Sequence, residues 1–133
     1  MKLRRTKTTR QKMVERLDDL FSEYIRKRAI KRVGGCERCG AHKGDIKGLD
    51  AAHLHSRGKY TVRWDERNAV GLCGGCHLYL DSHLDAKSEF ARHLLGREEY
   101  QRLYTLANMT TKQSPVDFPM VEIYLKALLE EVQ

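Results

Sequence analysis

No stretch of the 133-residue sequence reaches the roughly 18 uninterrupted apolar residues that a membrane-spanning helix requires. The basic N-terminal run MKLRRTKTTR is followed by neither an apolar h-region nor a small-residue cleavage site, so it does not read as a secretory signal. Internal repeats are lacking, and so is low-complexity sequence beyond the basic tail. This length is about that of one domain, and 41% hydrophobic residues suffice for one modest core. The expectation is a cytoplasmic protein with no membrane association, in a compartment where four cysteines serve as metal ligands and not as disulfides.

What is present in excess is positive charge. Lys and Arg number 25 against 18 Asp and Glu, a net +7, which points to an anionic partner such as nucleic acid or an acidic membrane surface. From Met1 to Arg32 there are twelve basic and four acidic side chains, so the whole surplus lies in the first quarter of the chain.

The periodicity divides the chain into three parts, 1–33, 34–84 and 85–133, read together as one domain. From Arg10 to Arg28, Met13, Leu17, Leu20, Phe21, Tyr24 and Ile25 recur at three- and four-residue spacing, which predicts one amphipathic helix, basic at both ends and closed by Gly34-Gly35. A turn-rich stretch follows. Gly48–Ser56 reads as a strand, Tyr60, Val62 and Trp64 alternate with polar residues as a half-buried strand would, and Ala69–Leu72 suits a second core strand. Helical patterning resumes at His77–His83, near Ala86–Leu95, over Arg97–Asn108, and from about Val116 to Val132. In the last of these Val121, Tyr124, Leu125, Leu128, Leu129 and Val132 form the expected buried stripe.

Cys36-Glu37-Arg38-Cys39 and Cys73-Gly74-Gly75-Cys76 are two C-x-x-C knuckles. Each lets a tight turn aim two thiolates at one ion, and the four together would make a closed tetrahedral site for structural Zn²⁺. An iron–sulfur cluster accepts the same ligands; a dithiol redox motif lacks the βαβ context it needs. Thirty-three residues separate Cys39 from Cys73, more than a compact double-knuckle module contains.

The insertion holds Asp50, His53 and His55, then Asn68, and His77 follows the last cysteine directly. On a strand, His53 and His55 would share one face and Asp50 and Ala52 the other. At the start of the next helix His77 and Asp81 would share a face at i, i+4.

The series His53, fourteen residues, Asn68, eight residues, His77, framed by the two knuckles, resembles the HNH nucleases of the ββα-metal class, especially zinc-stapled forms from phage and prophage genomes. The resemblance covers about Cys36 to His83. It implies an α+β fold: a ββα-metal core pinned by the Cys₄ zinc, flanked by an N-terminal basic helix and C-terminal helices. His53 then corresponds to the general base, Asn68 to the residue that orients loop and base, and His77 to a ligand of the single catalytic ion, Mn²⁺ or Mg²⁺. Many members carry an Asp or His ligand just before the base, where this chain has Ala52. Asp50 is the substitute expected here, with His55, Asp81 and His83 as other candidates.

The residue types suit phosphodiester hydrolysis in their own right. A neutral imidazole can take a proton from water at neutral pH, and a hard divalent cation can neutralise charge at the phosphate and the leaving 3′-oxygen. Lys2, Arg4, Arg5, Lys7, Arg10 and Lys12, with Arg26, Lys27, Arg28, Lys31 and Arg32, could grip phosphates. Arg57, Lys59, Arg63 and Arg67 are expected to hold the scissile strand. His42 and His93 read as ordinary packed or surface residues, and Trp64 as core. The function expected is a DNA endonuclease, minimally a nickase, acting as monomer or homodimer on DNA and on no small-molecule substrate. The alternative is a zinc-stabilised nucleic-acid-binding module with a decayed site, which Ala52 favours; a weaker third is a protein-interaction adaptor using the C-terminal helices.

Overall fold

The computed structural model describes residues 5–133. The first helix, α1, runs Thr9–Val33. Thr8 accepts a hydrogen bond from the Gln11 backbone N–H, and the Gln11 side chain accepts one from the Thr8 N–H, a capping box at its start. Gly34, at φ +73°, ends the helix in the left-handed conformation that glycine adopts without steric cost. Leu17, Phe21, Tyr24 and Ile25 of the anticipated stripe are buried.

Two antiparallel strands follow, β1 (Asp50–His53) and β2 (Ala69–Leu72), paired from Asp50 opposite Leu72 to His53 opposite Ala69. Then come α2 (Gly74–Ser82), α3 (Leu84–Leu95), α4 (Arg97–Ala107) and α5 (Phe118–Glu131). The result is an α+β fold of five helices and a two-stranded sheet among the described residues. No helix among them is long and apolar enough to cross a membrane.

Buried residues fall into three clusters. The largest joins α1 to α5 through Val14, Leu17, Phe21 and Ile25 against Leu125, Leu128 and Leu129, with Trp64 and Ala69. The second packs Ala52, Val70 and Leu72 with Cys36, Cys76, Leu80 and Ala29. The third is Val62 under Leu103 and Ala107 of α4. In α5, Tyr124 of the expected stripe is 40% exposed.

Three expectations are corrected. Tyr60–Trp64 is not a strand: the N–H groups of Val62, Arg63 and Asp65 donate to the carbonyls of Lys59, Tyr60 and Val62, so consecutive turns, not a pleat, produce the alternation of buried and exposed side chains. The first strand is trimmed from Gly48–Ser56 to Asp50–His53 because β2 offers only four residues to pair with, and the chain bends after Leu54. Arg28 does not face solvent for phosphate; it is buried and donates to the carbonyls of Glu66 (2.8 Å) and Ala69 (2.7 Å), fastening the entrance of β2 to α1.

Candidate metal centre and adjoining cleft

The first knuckle closes against the end of α1, where the Cys36 N–H donates to the Ala41 carbonyl and the Gly40 N–H to that of Cys36. The second opens α2, with Cys73 as its N-cap. Their four Sγ atoms all lie within 4.8 Å of one another. Cys39 and Cys73 Sγ are 3.8 Å apart, too far for a disulfide and close to the edge of about 3.8 Å that a tetrahedron of ~2.3 Å zinc–sulfur bonds would have. The cluster is compatible with structural zinc. Burial alone would raise the Cys36 thiol, but the backbone N–H groups of Cys39, Cys73 and Arg38 outweigh it and bring its pKa down to about 6. The Arg38 guanidinium donates to Cys76 Sγ at 3.4 Å and lies over the Tyr79 ring. Glu37, inside the first knuckle, exchanges two hydrogen bonds with Gly71: its N–H donates to the Gly71 carbonyl and its carboxylate accepts from the Gly71 N–H.

A cleft of about 520 Å³ opens beside this centre, bounded by α1, β1, the loop after β1, α2 and α3, and lined by Asp18, His53, Arg57, His77, Asp81 and Lys87 among others. His53 sits at the end of β1, its ring 5.5 Å from that of Phe21. Its Nε2 lies 3.0 Å from the carbonyl oxygen of Arg63, which can only accept, so Nε2 carries the proton and Nδ1 the lone pair. Burial lowers the His53 pKa below its ordinary value, and Arg57 and Arg63 lower it further, against the opposing effects of that carbonyl and Asp18.

Across the cleft, His77 is held between two carboxylates. Its Nδ1 is 3.0 Å from Asp50 and its Nε2 3.2 Å from Asp81. Asp81 also pairs with Lys87 at 2.8 Å. Asp50 thus approaches His77 from the ring edge opposite Asp81, and among the described residues only the four cysteines bring three or more ligand atoms within 4.8 Å of one another.

Asn68 is fully buried. Its Oδ1 accepts from the His55 N–H, and its Nδ2 donates to the carbonyls of His55 and Val62. It therefore fixes both ends of the loop whose next residue, Arg63, supplies the carbonyl that orients His53. His55 lies beyond the strand end, its ring 6.1 Å from that of Tyr104; burial first, then Lys59 and Lys87, lower its pKa. His83 stacks on Tyr79 with Nδ1 at the Tyr79 carbonyl. Ala52 is buried in the second core cluster, on the strand face opposite His53.

The loop cations divide into two pairs. Arg63 forks onto Asp18 at 2.7 and 3.0 Å, and Trp64 Nε1 donates to the same carboxylate. Arg67 is held between Asp65 and Glu99. Arg57, its side chain 62% exposed and only loosely paired with Asp18 at 3.9 Å, and Lys59 remain open to solvent. Arg5 is exposed, and Arg4 lies outside the described residues. Asp18, Lys87 and the Arg63 carbonyl are parts of the site that motif spacing did not reveal; the bidentate reach of Asp18 to Arg63 spans 45 residues and leaves no local signal.

Comparisons with protein-family models, curated proteins and solved structures give no match to this chain. The α+β architecture, its two-stranded sheet and the adjoining cysteine cluster are compatible with an HNH-like fold.

Proposed function

We propose that this chain is a divalent-metal-dependent endonuclease of the ββα-metal kind that nicks DNA, with zinc on Cys36, Cys39, Cys73 and Cys76 as a structural pin. The observation that carries this reading is the fixed tautomer of His53: a neutral imidazole, its one proton committed to a backbone carbonyl, lines the same cleft as His77 and Asp81.

With Nε2–H engaged, Nδ1 is the nitrogen able to accept a proton from water as the water oxygen attacks phosphorus. The P–O3′ bond then breaks, and the leaving oxygen takes up a proton from solvent. Asn68 touches none of the reacting atoms; it is a positioning residue that acts through the loop carrying the Arg63 carbonyl.

The donors His77 and Asp81 suit a hard divalent cation such as Mn²⁺ or Mg²⁺, because a mixed nitrogen and carboxylate set accepts either. Asp50 on Nδ1 fits the role of a carboxylate that orients a ligating histidine, leaving Nε2 and Asp81 on the cleft side. Such a cation would neutralise charge on the scissile phosphate and the leaving oxygen. Arg57, which lines the cleft, and the exposed Lys59 would meet phosphates in this reading, while Arg63 and Arg67 act as internal struts.

The test is conversion of supercoiled plasmid to open circles in Mn²⁺, in Mg²⁺ and without added metal, with His53→Ala run alongside after metal analysis has shown that it keeps its zinc. Metal-dependent nicking that falls by about 10²-fold or more in the variant supports the reading. Equal inertness of both proteins, with DNA binding retained, replaces it by a zinc-stabilised binding module. Buried Ala52, which presents nothing to the cleft, favours that second reading.

A further inference from the structure

Ser56 lines the candidate cleft, and the ring of its neighbour His55 reaches toward α4. Beyond it, α4 presents Arg97, Tyr100 and Tyr104 along one face at i, i+3 and i+7. Tyr104 is 48% exposed, its ring 6.1 Å from His55 on one side and 6.5 Å from Tyr100 on the other, where the two tyrosine planes differ by 23°. Arg92 of α3 lies over the Tyr100 ring at 5.1 Å. With Arg97 these side chains line an open depression of about 560 Å³.

The charges along this path are available. Of the acidic side chains of α4, Glu99 is turned onto Arg67 and Arg102, while Glu98, which lines a neighbouring depression with Arg97, reaches toward Arg102. Neither Arg92 nor Arg97 forms an ion pair among the described residues, in contrast to Arg63 and Arg67. The surface therefore sets unpaired guanidinium groups beside the exposed ring of Tyr104 and the half-buried ring of Tyr100, and Lys59 adds positive charge near His55.

We infer that this Tyr/Arg stripe is a track for an unpaired DNA strand leading to or from the cleft, which makes the preferred substrate one with a single-stranded segment. The inference deepens the endonuclease reading and rests on it only for the strand's destination. Guanidinium groups at this spacing meet phosphates, and tyrosine faces stack on bases of any sequence, but only where those bases are not already stacked inside a duplex. A duplex would offer the arginines its phosphates and give the tyrosines nothing to stack on.

The test uses the full zinc-loaded chain without added divalent cation, so that binding is read apart from cleavage. Fluorescence anisotropy is measured with a labelled oligothymidine of about 12 nucleotides and with a duplex of equal length. The Tyr100→Ala/Tyr104→Ala variant should weaken oligothymidine binding by about 30-fold and duplex binding by less than about threefold, whereas Tyr100→Phe/Tyr104→Phe binds as wild type. Arg92→Gln/Arg97→Gln should flatten the salt dependence of single-strand affinity by a log–log slope of about 1.4. Unchanged oligothymidine affinity in the alanine variant, or a wild type that prefers duplex, overturns the inference. A chain that nicks plasmid while the alanine variant binds normally loses the track and keeps the endonuclease. A chain that never nicks but shows the tyrosine-dependent loss keeps the track and loses the endonuclease.

Discussion

His53 donates its Nε2 proton to the carbonyl oxygen of Arg63, 3.0 Å away, and so keeps its unprotonated nitrogen as Nδ1. Two distant features hold that carbonyl in place. The Arg63 side chain is forked onto Asp18 of α1, and the preceding carbonyl, that of Val62, is bound by Asn68. The orientation of one imidazole thus depends on a helix residue 35 positions before it in sequence and an asparagine 15 positions after it.

The first prediction concerns pH. Burial disfavours the imidazolium form of His53, so its folded pKa lies below the ordinary value of about 6.5. The acid limb of the proposed nicking activity should therefore have its midpoint below about pH 6.5. The linked stability change has a definite sign. As pH falls below about 6.5 the unfolded chain binds protons at His53 and His55 that the folded chain refuses, so stability declines until the depressed folded values are passed. Urea unfolding should show a lower midpoint at about pH 5.5 than at about pH 7.5, and a smaller decline in His53→Gln.

Asn68 makes three side-chain hydrogen bonds in the interior. Asn68→Ala leaves one N–H and two carbonyls without their partner, at a cost of about 2–4 kcal/mol. The urea midpoint measures it. The variant should also lose nicking, and its rate should not return when stability is restored by lower temperature, since the loop that orients His53 is released.

Gly71 lies so close to α1 that a Cβ added there would come within 2.5 Å of the Ala29 Cβ. Gly71→Ala should destabilise by about 1–3 kcal/mol through overpacking. Ala29→Gly in the same chain removes the opposing methyl and should recover most of the loss beyond the helix cost of the new glycine, about 1 kcal/mol. A double-mutant cycle on thermal unfolding reads the coupling.

Cys39 is exposed, so Cys39→Ser disturbs little packing and reports on ligation. Zinc content should fall below the one ion per chain expected of the wild type, and the thermal midpoint should drop toward that of chelator-treated wild type. Because thiolates bind the ion only when deprotonated, wild-type zinc affinity should weaken as pH is lowered, which a competing colorimetric chelator can follow.

What could be read in advance and what could not follows from how far each interaction reaches along the chain. The stripe of α1, its Gly34 stop and the two knuckles are local patterns, and each is present. His77 and Asp81 share a face because helical spacing alone puts them there. The turns at Tyr60–Trp64 imitated a strand because their buried members, Val62 and Trp64, also fall two apart, one under α4 and the other against α5. Which arginines are free could not be read from spacing. Arg63 is neutralised by Asp18 and Arg67 by Glu99, at separations of 45 and 32 residues, while Arg92 and Arg97, which sit in an ordinary-looking helical stretch, remain unpaired.

The two knuckles stand at the ends of a segment that contains β1, the turns, β2, His53 and Asn68. A metal ion on the four thiolates would make that segment a closed ring, with the exposed turn at Arg57 and Lys59 at its far side. A trypsin cut in this turn would open the ring and leave both halves anchored at the same ion. The nicked chain would migrate as two bands under denaturing, chelating conditions and as one species without them, because the metal and the packing of α1 on α5 would each hold the severed halves together.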